Sequence, residues 1–317
     1  MSNQTAPECL IPPAEYQLYL FPVVYIFALV FGLPGNLAAI YVFIFRVTPR
    51  TAFSIYISSL ALADVVILCT LPFRIHYHLN GNNWVFGDVT CQITGILFHA
   101  NIYTSICFMT CICLDRYMAT VHPHTYLKLR RPRYALFTSI VLWVVAGVAV
   151  VVFILMGPLE TNGDKSGSHS CFENFAAHEW SSRLFPYSLL VIFCSLLPSA
   201  TILVLYSIAA RRISRIHTKM AQRAVRVIYI TLAITLICFL PNHVVYLLHL
   251  LRRMKVIQSC PLANAIYNAR RGTMALVILN TCLDPLLYYV TTSHCACKPP
   301  RSWFRLRRRR VIYTITV

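Results

Sequence analysis

The sequence predicts an all-α membrane protein, a bundle of seven transmembrane helices. Three observations carry that expectation. Hydrophobic residues make up 58% of the 317-residue chain, and the mean hydropathy is +0.64. Charged residues are only 12%, about half the share in soluble domains. Long apolar stretches recur at 17–45, 54–78, 89–120, 134–157, 182–210, 222–251 and 268–291, each long enough to cross a bilayer at about 20 residues per span. Together they leave no room for a separate soluble domain. The composition excludes a disordered chain, a coiled coil and an ordinary soluble enzyme.

The domain plan follows. Residues 1–16 form a polar tail, 17–291 the helical domain and 292–317 a basic tail. Residues 1–16 lack a basic n-region, so the first span is expected to act as the targeting segment. Pro, Gly and Ser interrupt most spans, which membrane helices tolerate when neighbours satisfy the freed backbone groups. The two halves do not copy each other, which argues against a transporter.

Net charge is +18, from 28 Lys+Arg against 10 Asp+Glu. The charges fall in loops, so they orient a membrane protein rather than bind nucleic acid. Eight basic residues lie on one side: Arg74, Lys165, Arg183, Arg252, Arg253, Lys255, Arg270 and Arg271. The remaining 20 of the 28 lie on the other. The richer side faces the cytosol, which puts the N-terminus outside. Asn3-Gln4-Thr5 is then an outer glycosylation acceptor. The run Arg307–Arg310 reads as binding anionic lipid headgroups, and Ile315-Thr316-Val317 is a weak candidate for adding a strand to a PDZ domain.

Of 13 cysteines, Cys9, Cys91, Cys171 and Cys260 are expected outside, where they can make two bridges in three connectivities. Cys91 with Cys171 would clamp the loop before the fifth span across the helix mouths. Cys9 with Cys260 would then tie the N-terminal tail to the last outer loop. This is the expected pairing. Cys295 and Cys297 follow the last span beside basic residues and are candidates for palmitoylation.

Ionisable groups inside spans are costly and mark function. Asp64 lies midway in the second span and Asp284 in the seventh. With Asn36 and Asn280 they are expected to form one polar network, with a sodium ion at Asp64 as the candidate structural ion and no other cofactor. Asp115-Arg116-Tyr117 ends the third span, where an adjacent acid and base can hold each other until Arg116 is released.

Gly35-Asn36, Leu60 to Asp64, Cys91, Asp115-Arg116-Tyr117, Trp143, Pro198 with Tyr206, Cys238-Phe239-Leu240-Pro241 and Asp284-Pro285-Leu286-Leu287-Tyr288 occur in order, one group per span. The set resembles the rhodopsin-like (class A) family of G-protein-coupled receptors over about 17–291. Asp284 stands where many members carry Asn, as in the branch with nucleotide and lysolipid receptors. Leu71-Pro72-Phe73-Arg74-Ile75, Asn83 to Asp88 and Cys171 to Phe175 are similar to the lysophosphatidic acid receptors of that purinoceptor-like branch. Asn242-His243 departs from them and is similar to the orphan group with lipid-conjugate receptors.

The resemblance implies a heterotrimeric G protein as partner, of the twelve/thirteen or inhibitory class, with Asp115, Arg116, Tyr117, Tyr206 and Tyr288 as the G-protein switch and arrestin as a further partner. It implies a plasma-membrane location and no enzyme activity; no catalytic triad, zinc motif or phosphate loop stands in the sequence.

The ligand is read from the pocket chemistry. Cys91 to Thr110 holds no Asp or Glu, so a monoamine lacks its counter-ion. Arg74 is expected about 15 Å outward of Asp64, with Arg270 and Arg271 opening the seventh helix about 21 Å above Asp284. Arg253 ends the sixth. Phe73, Tyr77, Phe98, His99, Tyr103, Phe239 and Tyr246 supply an aromatic cavity, and His243 beside them could serve a nucleotide. A cationic rim above a greasy pocket suits an anionic lysolipid, lysophosphatidic acid first. The alternatives are a nucleotide or a prenyl-glutathione-type conjugate and, more remotely, a transporter.

Overall fold

The structure is a computed structural model that describes residues 15–47, 50–122, 125–126, 131–156, 162–163, 169–171, 200–201, 203–204, 207–208, 211, 229–254 and 256–292. The first four helices run Gln17–Arg46, Ala52–Leu79, Asp88–Val121 and Pro132–Met156. Within the expected fifth span, Ala200, Thr201, Leu203, Val204, Ser207 and Ile208 are helical, as is Arg211 just beyond it, and the rest of the span lies outside the described residues. The sixth helix runs from Tyr229 to Arg253, with Tyr229–Arg252 as its membrane-length stretch, and the seventh covers Cys260–Thr292. Beyond the helices, Asn162–Gly163 pairs antiparallel with His169–Ser170.

Among the described residues, five helices are long and apolar enough to cross a membrane: the first four and the sixth. The seventh carries Arg270, Arg271, Asn280 and Asp284, which lower its hydropathy.

The backbone widens into π turns at Ala28–Gly32, Val42–Arg46 and Thr235–Phe239, and at two of these the sequence removes a donor just beyond the turn. Pro34 follows a π turn at Ala28–Gly32, and Pro241 follows one at Thr235–Phe239. A proline cannot bond the carbonyl four residues back, and here that carbonyl lies in the widened turn. The second helix breaks at Cys69–Thr70 and restarts at Leu71-Pro72. Its first turn is fixed by a reciprocal cap: Ser54 N donates to Thr51 Oγ1 (3.1 Å) and Thr51 N to Ser54 Oγ (3.0 Å).

The core runs along the first three, sixth and seventh helices, through Phe21, Ile57, Leu60, Phe98, Phe108, Phe239 and Ile278. The fourth helix lies at the periphery and exposes Phe137, Val144, Val148 and Leu155. It is held through Ser139, whose hydroxyl is 2.7 Å from that of Ser59, and by Trp143 against Phe108. The first and seventh helices meet at Gly35, where an added Cβ would stand 2.7 Å from Pro285 Cγ.

Cys91 and Cys171 are joined, with their Cα atoms 6.0 Å apart. The bridge packs with Tyr77 and Trp84 in a small second core. Trp84 Nε1 donates to Gly87 O at 2.8 Å, and Gly87, at φ 78°, takes a backbone conformation that side chains disfavour just before the third helix.

Two expectations are corrected. The seventh helix starts at Cys260 rather than 268, so Arg270 and Arg271 sit about three turns inside it instead of opening it. Pro261 suits a first helical turn, and a helix that extends beyond the bilayer no longer needs an all-apolar sequence. Phe73 does not line the cavity: it is 38% exposed and meets the ring of Phe86, in the loop between the second and third helices, at 5.1 Å. Its neighbour Arg74 takes the inward face, because successive residues point about 100° apart around a helix.

Candidate functional site

At the disulfide end, Arg74 is 6% exposed. Its Nη2 donates to Thr94 O of the third helix at 2.8 Å, and its guanidinium carbon lies 4.7 Å from the centre of the Phe98 ring. The Tyr25 hydroxyl of the first helix hydrogen-bonds the same side chain. Arg271 donates to Tyr267 Oη at 2.9 Å and lies 4.9 Å from that ring. Arg270 lies 5.7 Å from the Tyr246 ring of the sixth helix.

The three cations share neighbours. Tyr25 is in electrostatic range of both Arg74 and Arg271, and His99 of both Arg270 and Arg74. Each guanidinium is laid on an aromatic ring, which attracts a cation by about 0.5–2 kcal/mol. The stretches that supply them, 65–79, 89–114, 229–253 and 260–283, contain no Asp or Glu. The arrangement has the chemistry to receive a phosphate or carboxylate in bidentate contacts.

Deeper in the bundle, the rings of Tyr103 and His243 stack at 6.5 Å, joining the third and sixth helices. His99 Nδ1 lies 3.0 Å from Gly95 O. Phe98, Phe239 and His243 are buried. Tyr77 also is buried but turns to Trp84, at 5.8 Å, in the disulfide core. Arg253 closes the sixth helix, and its side chain lies outside the described residues. At the rim, Tyr16 donates to Asn268 Oδ1 at 3.1 Å, and partial burial raises the pKa of its phenol.

The midplane polar network is divided. Asn280 Nδ2 donates to Asp284 Oδ2 at 2.9 Å, and Asn101 Nδ2 lies 3.4 Å from Asp64 Oδ1. The two carboxyls stand within hydrogen-bond reach of each other. Like charges at that range need a proton or a cation between them. Asp64 Oδ2, Asp284 Oδ1 and Asn280 Oδ1 are buried acceptors that receive no donor among the described residues. Carboxylate and amide oxygens are the ligand type a hard cation takes, although no group of three or more His, Cys, Asp or Glu side chains gathers among the described residues.

Asn36 is not joined to the pair. Its Nδ2 donates to Gly32 O (3.0 Å) and Thr281 O (2.8 Å), and its Oδ1 accepts from Tyr288 Oη at 3.4 Å. The close approach at Gly35 brings Asn36 against the seventh-helix backbone, which captures its amide. This corrects the expectation of a single network containing all four residues.

At the opposite end, Arg116 donates to Asp115 Oδ2 through Nε (3.0 Å) and Nη2 (2.5 Å). Tyr126 donates to Asp115 Oδ1 at 3.1 Å, and the Phe53 ring lies 4.2 Å from the Arg116 guanidinium carbon. Tyr117 meets His122 edge-on at 5.8 Å. Tyr206, Asn3, Cys9, Cys295 and Cys297 lie outside the described residues. Cys260 is in a disulfide, and its expected partner Cys9 falls outside them.

Sequence inspection missed Tyr25, Phe53, Asn101, Tyr126 and Tyr267. Tyr267 had a usable signal: it stands four residues, about one turn, before Arg271. For the others, only packing between distant segments reveals the partner.

A bundle of membrane-length helices with a disulfide-capped mouth, a buried carboxyl pair and an Asp–Arg pair at its far end defines a seven-helix membrane receptor. The chain matches the family model "7 transmembrane receptor (rhodopsin family)" over residues 35–288, and it belongs to that family. It is 36% identical to the human "Uracil nucleotide/cysteinyl leukotriene receptor" over 88% of this chain and 76% of that one. It is 33% identical to human "G-protein coupled receptor 68" over 90% and 77%. It is 31% identical to purinoceptor 1 of Meleagris gallopavo over 91% and 81%. The chain is thus a receptor of the purinoceptor-like branch, not an enzyme, and a multi-pass plasma-membrane protein that signals through heterotrimeric G proteins.

Proposed function

We propose that this receptor responds to an anionic lysolipid, lysophosphatidic acid first, with Arg74 and Arg271 gripping the phosphate and Arg270 and Arg253 as outer contacts. The observation that supports this is three ring-seated guanidiniums that share Tyr25 and His99 as neighbours. The buried Phe98, Ile102 and Phe239 would offer the tail dispersion contacts, with His99, the stacked Tyr103 and His243, and Tyr246 as its further neighbours. A nucleotide is the second reading, favoured by the names of two relatives, the uracil nucleotide receptor and the purinoceptor. His243 and Tyr103 would then take the base. A prenyl-glutathione-type conjugate is the remaining member of the same anionic class.

The orientation proposed has the disulfide end outside, with Asn3 glycosylated. The Asp115 end then meets the G protein, of the twelve/thirteen or inhibitory class, and arrestin. Asp115, Arg116, Tyr117, Tyr206 and Tyr288 act as its switch. Cys295 and Cys297 carry palmitate, and Arg307–Arg310 bind anionic lipid.

The deciding experiment exposes cells at matched surface expression to lysophosphatidic acid, lysophosphatidylserine, a prenyl-glutathione conjugate and ADP, read on each G-protein class. A response to lysophosphatidic acid at the lowest concentration is expected. A response to ADP alone overturns the lipid reading.

A further inference from the structure

We infer that Phe53 is a second hold on Arg116 and that its ring sets the receptor's basal activity. The inference rests on reading Arg116 as the group that leaves its resting position when the G protein engages.

Two different surfaces of the guanidinium are occupied. One edge is bound to Asp115 Oδ2 through Nε and Nη2. The Phe53 ring centre lies 4.2 Å from the guanidinium carbon. The carboxylate is itself fixed by the Tyr126 hydroxyl at 3.1 Å, and Asp115 is 8% exposed. Phe53 is as firmly placed. It lies in the first turn of the second helix, inside the Thr51–Ser54 capping box, and is 7% exposed.

The two holds differ in chemistry and in source. The carboxylate is the adjacent residue and travels with the third helix. The ring belongs to the second helix, so it registers the position of Arg116 relative to a different element. An arginine that swings away loses the attraction of the ring's negative face as well as the ion pair. Phe53 therefore positions the switch without touching ligand.

The test measures agonist-free guanine-nucleotide exchange in membranes from cells, normalised to receptor number, on each G-protein class. Phe53→Leu keeps an apolar side chain but removes the ring, and basal exchange should rise about threefold to tenfold. Phe53→Trp restores an aromatic face and should return exchange to the parent level. Phe53→Met is a second ring deletion if the leucine variant does not reach the surface.

Asp115→Asn runs in parallel. If it raises basal exchange while Phe53→Leu and Phe53→Met leave it unchanged, the ring is mere packing and the inference is overturned, with the Arg116 reading intact. If none of the three raises it, both fall. A fall in thermal stability with unchanged exchange per receptor also overturns the inference.

Discussion

Arg74 of the second helix donates to the backbone carbonyl of Thr94 in the third, 2.8 Å away, rather than reaching out of the bundle. That bond fixes the direction of a cation whose long side chain would otherwise snorkel to the membrane surface. The Phe98 ring beneath and the Tyr25 hydroxyl beside it complete the seat. The guanidinium is thereby pre-positioned, and an anion binding there does not bear the ordering entropy of a free arginine.

Replacing Arg74 with Ala should raise the effective concentration of lysophosphatidic acid about tenfold to a hundredfold, since a charge-assisted contact contributes roughly 1.5–3 kcal/mol. Arg74→Lys should recover only part of it, because an ammonium lacks the planar fork. Dose–response curves at equal surface expression measure both. Parent-like curves for both variants would remove Arg74 from the site.

The disulfide makes a separate prediction. Cys91 and Cys171 are 80 residues apart, and closing such a loop is worth on the order of 4 kcal/mol in the chain-entropy model. Cys91→Ser should therefore sharply reduce surface display. Peptide mapping without reductant should recover Cys91 with Cys171 and Cys9 with Cys260; a Cys9–Cys171 peptide would contradict the pairing.

For the midplane pair, Asp64→Asn should abolish any sodium sensitivity of agonist binding, because one of the two carboxylates that would enclose the ion is lost. Asn36→Ala should leave sodium sensitivity intact while lowering thermal stability, since its amide joins the first and seventh helices. Radioligand competition over a sodium titration separates them. Equal sodium responses in parent and Asp64→Asn would assign the pair a structural role.

Gly35 offers a test of packing. With Pro285 Cγ at 2.7 Å from an added Cβ, Gly35→Ala forces the first and seventh helices apart. Overpacking of this kind costs about 1–3 kcal/mol. A lower melting temperature of the detergent-solubilised receptor is the expected result, and an unchanged one would show that the helices can slide without loss.

The sequence by itself determined the class. Seven apolar stretches, buried acids and one motif per span are local or periodic properties, and they survive any arrangement of neighbours. Helix limits were legible to within a few residues where hydropathy changes abruptly, as at Gln17, Asp88 and Pro132. They were missed at Cys260, because hydropathy stops marking a helix once it leaves the bilayer.

Tertiary structure alone decided which side chains meet. Phe73 and Arg74 are adjacent in sequence, yet one faces the loop that holds Phe86 and the other the bundle, because the turn at Cys69–Thr70 sets the rotation of the helix that follows. Asn36 was placed for the carboxyl pair by depth, but the close contact at Gly35 delivered it to Thr281 O instead. Asp115 and Arg116 were legible as neighbours; Phe53 and Tyr126 were not, since they reach the pair from 62 residues before and 11 after Asp115. Depth along a helix follows from counting residues, but azimuth and partner depend on how the helices pack together.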